Sequence, residues 1–133
     1  MTSAEKQALI HYRITRAKET LREVDILVEN KLWNTAVNRM YYSCYYAVIA
    51  LLVDHDIQTQ THSGVRQMFG LHFIKPGLFS KELGKFYSDI FDMRQSGDYA
   101  DYIDFTDSDV IDLIQPSREL IISIERYLSS HRG

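Results

Sequence analysis

Residues 33–54 read WNTAVNRMYYSCYYAVIALLVD and contain neither glycine nor proline. Small side chains are set among four tyrosines, so the segment is apolar on most of its sides when it is drawn as a helix. The uncharged run from Met40 to Val53 has 14 residues, short of the roughly 20 that are needed to cross a bilayer. We therefore predict a buried, central helix that packs against several neighbours.

The segment before this helix also lacks residues that interrupt helices. Gly64 is the first glycine and no proline precedes it, whereas antiparallel strands would need tight turns with Gly or Asn at positive φ. We predict a first helix that begins after Thr2 or Ser3 and ends at a turn over Asn30-Lys31. Its charged faces mix both signs, which is typical of a solvated surface. Apolar residues recur in it every three or four positions: Ile10, Ile14, Ala17, Leu21, Val24 and Val28.

Two further helices are predicted after a loop. Thr61 or Ser63 would be the N-cap of a short helix over residues 64 to about 73, because their hydroxyls can accept a bond from the first turn. Ser80 would cap a fourth helix. Gly97 is predicted to end that helix, since glycine commonly follows the last helical residue.

The remaining chain reads as a linker and a last helix. Residues 97–105 are polar, acidic and aromatic, and we expect an irregular linker there. The last helix begins at Thr106 or Asp107, runs to about Ser129 and is interrupted at Pro116. The predicted fold class is all-α, an up-and-down helical bundle of four long helices plus one short helix, in a single domain over residues 1–133.

Composition limits the class of protein. The 133 residues are 45% hydrophobic and 25% charged, which is typical of a globular chain. The net charge of −3 gives no general attraction to nucleic acid, so such binding would need a local basic patch. The single cysteine, Cys44, and an N-terminal segment without an apolar signal region indicate a cytoplasmic protein without a membrane span.

The histidines do not form a metal-binding pattern. Helical metal sites place ligands as His-x3-His or His-x2-Glu on one face, and none of these pairs occurs. We therefore expect no metal site and no cofactor. The five histidines are His11, His55, His62, His72 and His131.

A first group of candidate binding residues lies in the central helix. Asn38 and Arg39 are costly to bury unless their hydrogen bonds are satisfied. Asn38 shares a helical face with Tyr42, so a structural network with tyrosine hydroxyls is the favoured interpretation. Direct contact of these three residues with a ligand is the alternative.

A second group surrounds Arg94 near the predicted end of the fourth helix. Asp98 follows four residues later, so an ordinary ion pair within the helix explains the arginine. Alternatively, its guanidinium could bind a phosphate while Tyr99 and Tyr102 stack on a base. The many aspartates of this region would repel RNA unless a second surface supplies positive charge.

Three ordered segments resemble a known family. They are residues 36–47, AVNRMYYSCYYA, residues 61–69, THSGVRQMF, and residues 91–99, FDMRQSGDY. Together they resemble small prokaryotic proteins of the HEPN-domain family, the nucleotide-binding helical domain of higher eukaryotes and prokaryotes. Because the segments follow in order over nearly the whole chain, their combination is more specific than any one alone.

The resemblance implies a function. It implies a homodimer whose two protomers form one cleft, metal-independent RNA cleavage by an Arg-x4–6-His motif, and a minimal nucleotidyltransferase as antitoxin partner. Arg94 matches the motif arginine, but Tyr99 stands where four intervening residues would place the histidine. A phenol with a pKa near ~10 is a poor base at neutral pH.

Three hypotheses follow. The leading one is a HEPN protein that binds RNA or a nucleotide around Arg94, Tyr99 and Asn38, in a toxin-antitoxin-like system with a degenerate ribonuclease motif. The second is an active ribonuclease with another base; His62 could reach the cleft, although a helix-capping or solvent role is favoured for it. The third is a non-catalytic protein-interaction module that uses the tyrosines.

Overall fold

The computed structural model describes residues 1–99 and 103–130, and within these ranges every regular element is helical. The predicted all-α bundle is confirmed. Its four long helices are joined by shorter helical pieces. The long helices are α1 Ser3–Glu29, α2 Trp33–Asp54, α4 Lys81–Tyr99 and α6 Ile114–Ser130. The short helices are α3 His62–Phe69 and α5 Asp107–Val110.

The helix α2 is the centre of the bundle, as its sequence predicts. It packs along α1 and also contacts α4 and α6. Tyr41, Cys44 and Leu51 are among its fully buried residues. None of the helices in residues 1–99 and 103–130 is long and apolar enough to cross a membrane.

Local signals set both ends of α1. The Thr2 hydroxyl accepts a hydrogen bond from the Glu5 amide at 3.0 Å and so caps the first turn. The helix ends at Glu29, and Lys31 adopts a positive φ of 59° in the turn that follows. The predicted turn over Asn30-Lys31 is therefore confirmed.

The helix α3 begins earlier and ends sooner than its pattern predicts. The Thr61 hydroxyl accepts a hydrogen bond from the Gly64 amide at 2.9 Å, so His62 is the first helical residue. The α-helix ends at Phe69, and a π-helical turn follows over Gly70–Ile74. The cap at Thr61 therefore holds the backbone of His62 in the first turn of α3.

The prediction that Gly97 ends the fourth helix is wrong. The helix α4 continues through this glycine to Tyr99, so the linker does not begin at residue 97. A Cβ atom at Gly97 would lie only 2.7 Å from Cε2 of Phe105. Gly97 therefore allows the Phe105 ring to pack directly against the backbone of α4. Because the helix is continuous, Arg94 and Asp98 lie on one face of it.

The last helix is interrupted slightly before Pro116, the residue at which the sequence predicts the break. The one-turn helix α5 passes into a 3₁₀ turn over Ile111–Leu113 before α6 begins. Pro116 then occupies the first turn of α6, where an amide proton would have no helical acceptor. The chain thus accommodates the proline by starting a new helix.

Candidate functional site

The candidate site is built around a buried arginine. The helix α4 carries Arg94 inward, and this residue is only 4% exposed. Its Cζ atom lies 4.8 Å from the ring centre of Tyr41, 5.6 Å from that of Tyr42 and 5.7 Å from that of Tyr99. We call these four residues and His62 the Arg94 cluster. The cationic head is thus enclosed by the electron-rich faces of phenol rings.

The polar contacts of Arg94 are incomplete. Its Nε atom is buried and has no hydrogen-bond partner among the described residues. Its Nη1 atom lies 3.8 Å from an Asp98 oxygen, which is an ion pair but too long for a hydrogen bond. Burial lowers the pKa of Arg94, but the phenols of Tyr42, Tyr41 and Tyr99 outweigh it, so the net pKa is raised. The guanidinium therefore stays charged.

A polar network connects α2 to α4 beside the cluster. Asn38 donates from Nδ2 to the Asp98 carboxylate at 2.9 Å. Arg39 donates from Nε and Nη2 to Asn38 Oδ1 at 3.0 and 2.7 Å, and its Cζ lies 5.2 Å from the Tyr42 ring centre. The predicted structural network at Asn38 exists, but its partners are a carboxylate and an arginine rather than tyrosine hydroxyls.

The structure brings His62 to the same cluster. Its Nδ1 shares a 2.8 Å hydrogen bond with the Tyr41 hydroxyl, although 21 positions separate the two residues. Its ring stacks on Tyr45 with centres 4.4 Å apart and meets the edge of Tyr42 at 5.7 Å. His62 is therefore part of a partly exposed aromatic group, and Thr61 rather than His62 caps the helix.

Burial and charge tune the titrating groups of the cluster. Burial lowers the pKa of His62, and the positive charge of Arg94 lowers it further. Burial raises the pKa of Tyr41 to about 12, so its hydroxyl stays protonated. At neutral pH His62 is therefore held in its neutral form, which is the form that a general base must have.

Sequence patterns missed two arginines of α1. Arg16 places Cζ 5.6 Å from the Tyr46 ring centre. The charge of Arg13 lowers the pKa of Tyr45, although burial raises it more and the net shift is upward. Each arginine directly precedes a residue of the apolar stripe of α1 in the sequence. This position could have indicated that both lie at the edge of the buried face of the helix. They bring two positive charges to the tyrosines of α2, next to the aspartate-rich region around Arg94.

A cleft of about 660 Å³ opens beside this surface. Helices α1 and α2 and the loop before α3 form its walls, with Arg13 and Tyr45 among its lining residues. We call it the α1–α2 cleft.

A different groove of about 210 Å³ lies between α1 and α6 and includes Arg22. Two cations there are already paired, Lys18 with Glu125 and Arg118 with Asp25.

Two of the predicted site residues lie at the end of α4 or after it. Tyr99 is the last residue of α4 and is 76% exposed. Tyr102 lies outside the described residues. Within residues 1–99 and 103–130, no three His, Cys, Asp or Glu side chains are grouped so that they could hold a metal ion.

Comparison with known proteins identifies the family. The family model of the HEPN domain matches residues 10–127. The chain belongs to the HEPN family. A UPF0332 protein of Thermotoga maritima is 38% identical over 124 residues, which cover 93% of this HEPN chain and 94% of that protein.

Two archaeal relatives carry names that refer to toxicity. "Putative toxin MJ0142" of Methanocaldococcus jannaschii is 31% identical over 117 residues, 88% of this HEPN chain and 80% of its own length. "Putative toxin MJ0605" of the same organism is 37% identical over 95 residues, 71% of this chain and 68% of its own length.

The three segments that suggested the HEPN family meet in space. Residues 36–47 lie in α2, residues 61–69 form the cap and body of α3, and residues 91–99 end α4. They contribute Tyr41 and Tyr42, His62, and Arg94 respectively to the cluster. The resemblance in sequence thus corresponds to one location in the fold.

Proposed function

We propose that this HEPN protein is toxin-like and binds RNA or a nucleotide through a phosphate at the Arg94 cluster. The observation that carries the proposal is the buried Arg94 side chain, whose Nε has no hydrogen-bond partner among the described residues. A buried donor without a partner costs about 1–3 kcal/mol, and more when it is charged. A phosphate oxygen would satisfy it and balance its charge.

The surroundings of Arg94 suit a nucleic acid chain. Tyr99 covers the guanidinium, and this highly exposed ring has room to turn aside for an anion. Tyr42 and His62 are partly exposed aromatic rings on which bases could stack. Since Tyr99 replaces the motif histidine, the proposal is binding with a degenerate ribonuclease motif.

The test is a titration of fluorescently labelled single-stranded RNA, and of ATP, with the wild type and the Arg94→Gln variant. We expect the variant to bind at least about tenfold more weakly, because hydrogen bonds to charged groups contribute about 1.5–3 kcal/mol. Arg22→Gln, in the groove between α1 and α6, is the matched control and should bind as the wild type does. Equal affinity of wild type and Arg94→Gln, or no binding by either, would sink the proposal and favour a protein-interaction module.

The assembly of the protein is part of the proposal. We propose a homodimer that acts with a minimal nucleotidyltransferase, as the HEPN resemblance implies. Sedimentation should show a dimer, and co-expression should yield a complex with a nucleotidyltransferase encoded by a neighbouring gene. A monomer that copurifies with no such partner would contradict both statements.

A second candidate function, metal-independent ribonuclease activity, is favoured by His62. When Nδ1 carries the proton and donates to Tyr41, the Nε2 atom presents a lone pair and has no partner among the described residues. It could accept the proton of a ribose hydroxyl while Arg94 stabilises the negative phosphate. Cleavage of RNA in EDTA should then fail in His62→Gln and in Arg94→Gln. Cleavage that survives either substitution rules this function out.

A further inference from the structure

The α1–α2 cleft is a second feature that the Arg94 cluster does not use. Its volume of about 660 Å³ is within the range of roughly 300–1,000 Å³ that small-molecule sites occupy. The lining is aliphatic on one side, with Ile49, Leu52 and Val53 from α2. None of the described lining residues carries a carboxylate. The described lining of the cleft therefore carries no negative charge that would repel an anion.

Among the described residues that line the cleft, Arg13 is the only charged one. Its Nε atom is buried and has no hydrogen-bond partner among the described residues, the same condition as Nε of Arg94. No described carboxylate forms an ion pair with it, in contrast to Arg66 and Arg118 on other surfaces. Arg13 therefore brings to the cleft a positive charge that no described carboxylate neutralises, although its Cζ also lies 5.7 Å from the Tyr12 ring centre. Its enclosed Nε would meet a phosphate only after the side chain turns.

Tyr45 connects the cleft to the Arg94 cluster. It lines the cleft and also stacks on His62 at 4.4 Å between ring centres. Its ring meets the edge of Tyr42 at 5.8 Å, and Tyr42 in turn lies against Arg94. The charges of both Arg13 and Arg94 act on the Tyr45 hydroxyl. Both arginines thus lie close enough to Tyr45 for their charges to act on its hydroxyl.

The loop over residues 57–60 supplies the groups that a nucleobase would need. Gln58 and Gln60 are exposed at the cleft, and an amide can both donate to and accept from a base edge. Ile57 adds apolar surface beside them. A flat heteroaromatic ring would find an apolar wall, a tyrosine and amide partners, while a phosphate attached to it would find Arg13.

We propose that the α1–α2 cleft is a nucleotide subsite for single-stranded RNA, in which Arg13 binds a phosphate and Tyr45 with the 57–60 loop holds the base. This inference rests on the proposed function, since the adjoining nucleotide would lie at the Arg94 cluster. An RNA strand that crosses Tyr45 places successive phosphates near Arg94 and near Arg13.

The test uses the full chain and short labelled single-stranded RNAs. Arg13→Gln should weaken binding about tenfold relative to the matched α1 control Arg22→Gln, since it removes a charged hydrogen bond. In a series of RNAs with one abasic position each, one position should lose about tenfold in affinity, because stacking contributes about 1–3 kcal/mol per base. Melting curves confirm that the variants are folded.

A second measurement needs no variant. RNAs that carry 4-thiouridine at successive positions are photocrosslinked to the wild type, and the modified peptide is found by mass spectrometry. Crosslinks at Tyr45 or within residues 57–60, from one RNA position, are expected. Crosslinks confined to other peptides overturn the subsite.

The outcomes separate this inference from the proposed function. If RNA binding depends on Arg94 but is unchanged in Arg13→Gln and insensitive to every abasic position, the subsite fails and the proposed function stands. If the wild type binds no RNA, both fail. If Arg13→Gln leaves RNA affinity unchanged and converts a dimer to a monomer, the cleft is occupied by a second copy of the chain and the inference is wrong.

Discussion

The imidazole of His62 lies against Tyr41, Tyr42 and Tyr45 and close to the charge of Arg94. Because burial and a nearby cation both disfavour the imidazolium form, the pKa of His62 in the folded protein is below the ordinary value of 6.5. The environment of His62 is therefore set by neighbours from two other helices, α2 and α4, since no residue next to His62 in the sequence carries a charge.

Removing the charge of Arg94 should change the titration of His62. In Arg94→Gln we expect the pKa of His62 to rise, but to remain below 6.5 because burial persists. NMR titration of the histidine side chains measures this. Arg22→Gln should leave the His62 titration unchanged, and an unchanged titration in Arg94→Gln would show that the two groups do not interact.

The same lowered pKa has a consequence for stability. The unfolded chain binds the His62 proton more tightly than the folded protein, so the contribution of this group is fully present above the unfolded pKa of about 6.5. The free energy of unfolding should fall as the pH drops from there through the folded pKa. In His62→Gln this part of the fall should be absent, which urea denaturation at several pH values would detect.

At the scale of the helices, the last turns of α4 pack closely against the segment that leads to α5. Phe105 lies against Gly97, and its position is fixed from α2. Asn34 accepts a hydrogen bond from the Phe105 amide at 2.8 Å and donates one to the Ile103 carbonyl at 2.9 Å. Because this segment is held in place, α4 can pass it only with a residue that lacks a Cβ atom.

Gly97→Ala should therefore lower the free energy of unfolding by about 1–3 kcal/mol, the usual cost of overpacking. Gly70→Ala is the matched control. A Cβ atom there meets no atom within 4 Å, and the φ of −60° suits any residue. Gly70→Ala should leave the free energy of unfolding unchanged or raise it by up to about 1 kcal/mol. Equal urea midpoints for the two variants would show that Phe105 moves aside freely.

At the scale of the whole molecule, the charge is unevenly distributed. The net charge is −3, yet three arginines lie next to neighbouring tyrosine rings: Arg16 at Tyr46, Arg39 at Tyr42 and the buried Arg94 at Tyr41. Arg13 adds its charge beside Tyr45. This local positive surface is what an acidic protein needs in order to bind RNA at all.

Binding of single-stranded RNA should consequently weaken as salt rises. The logarithm of the association constant should fall with the logarithm of salt concentration, with a slope of about −0.7 for each phosphate that is neutralised. Arg13→Gln should make the slope shallower by about this amount, and Arg22→Gln should not. A salt-independent affinity would mean that phosphates are not the groups recognised.

The helices were predictable because their signals are local. The apolar stripe, the caps at Thr2 and Thr61 and the Asn30-Lys31 turn involve residues within a few positions of one another, so one sequence reveals them. Asn38 could be named as a candidate because a polar group is conspicuous in an apolar helix. Arg94 and Asp98 could be named because they lie near a predicted helix end and Arg94 matches the arginine of the family motif. Gly97 was misassigned because its partner, Phe105, is not apparent from the helix itself.

The sequence by itself determined the helical bundle, its central helix α2 and the residue types that could contact a phosphate. Only the tertiary structure decided which of them meet. It placed His62 against Tyr41 and Tyr45, enclosed Arg94 among phenols and left Arg13 unpaired at the α1–α2 cleft. The physical reason is that secondary structure follows from interactions between near neighbours, whereas a site is made of contacts between helices far apart in the chain.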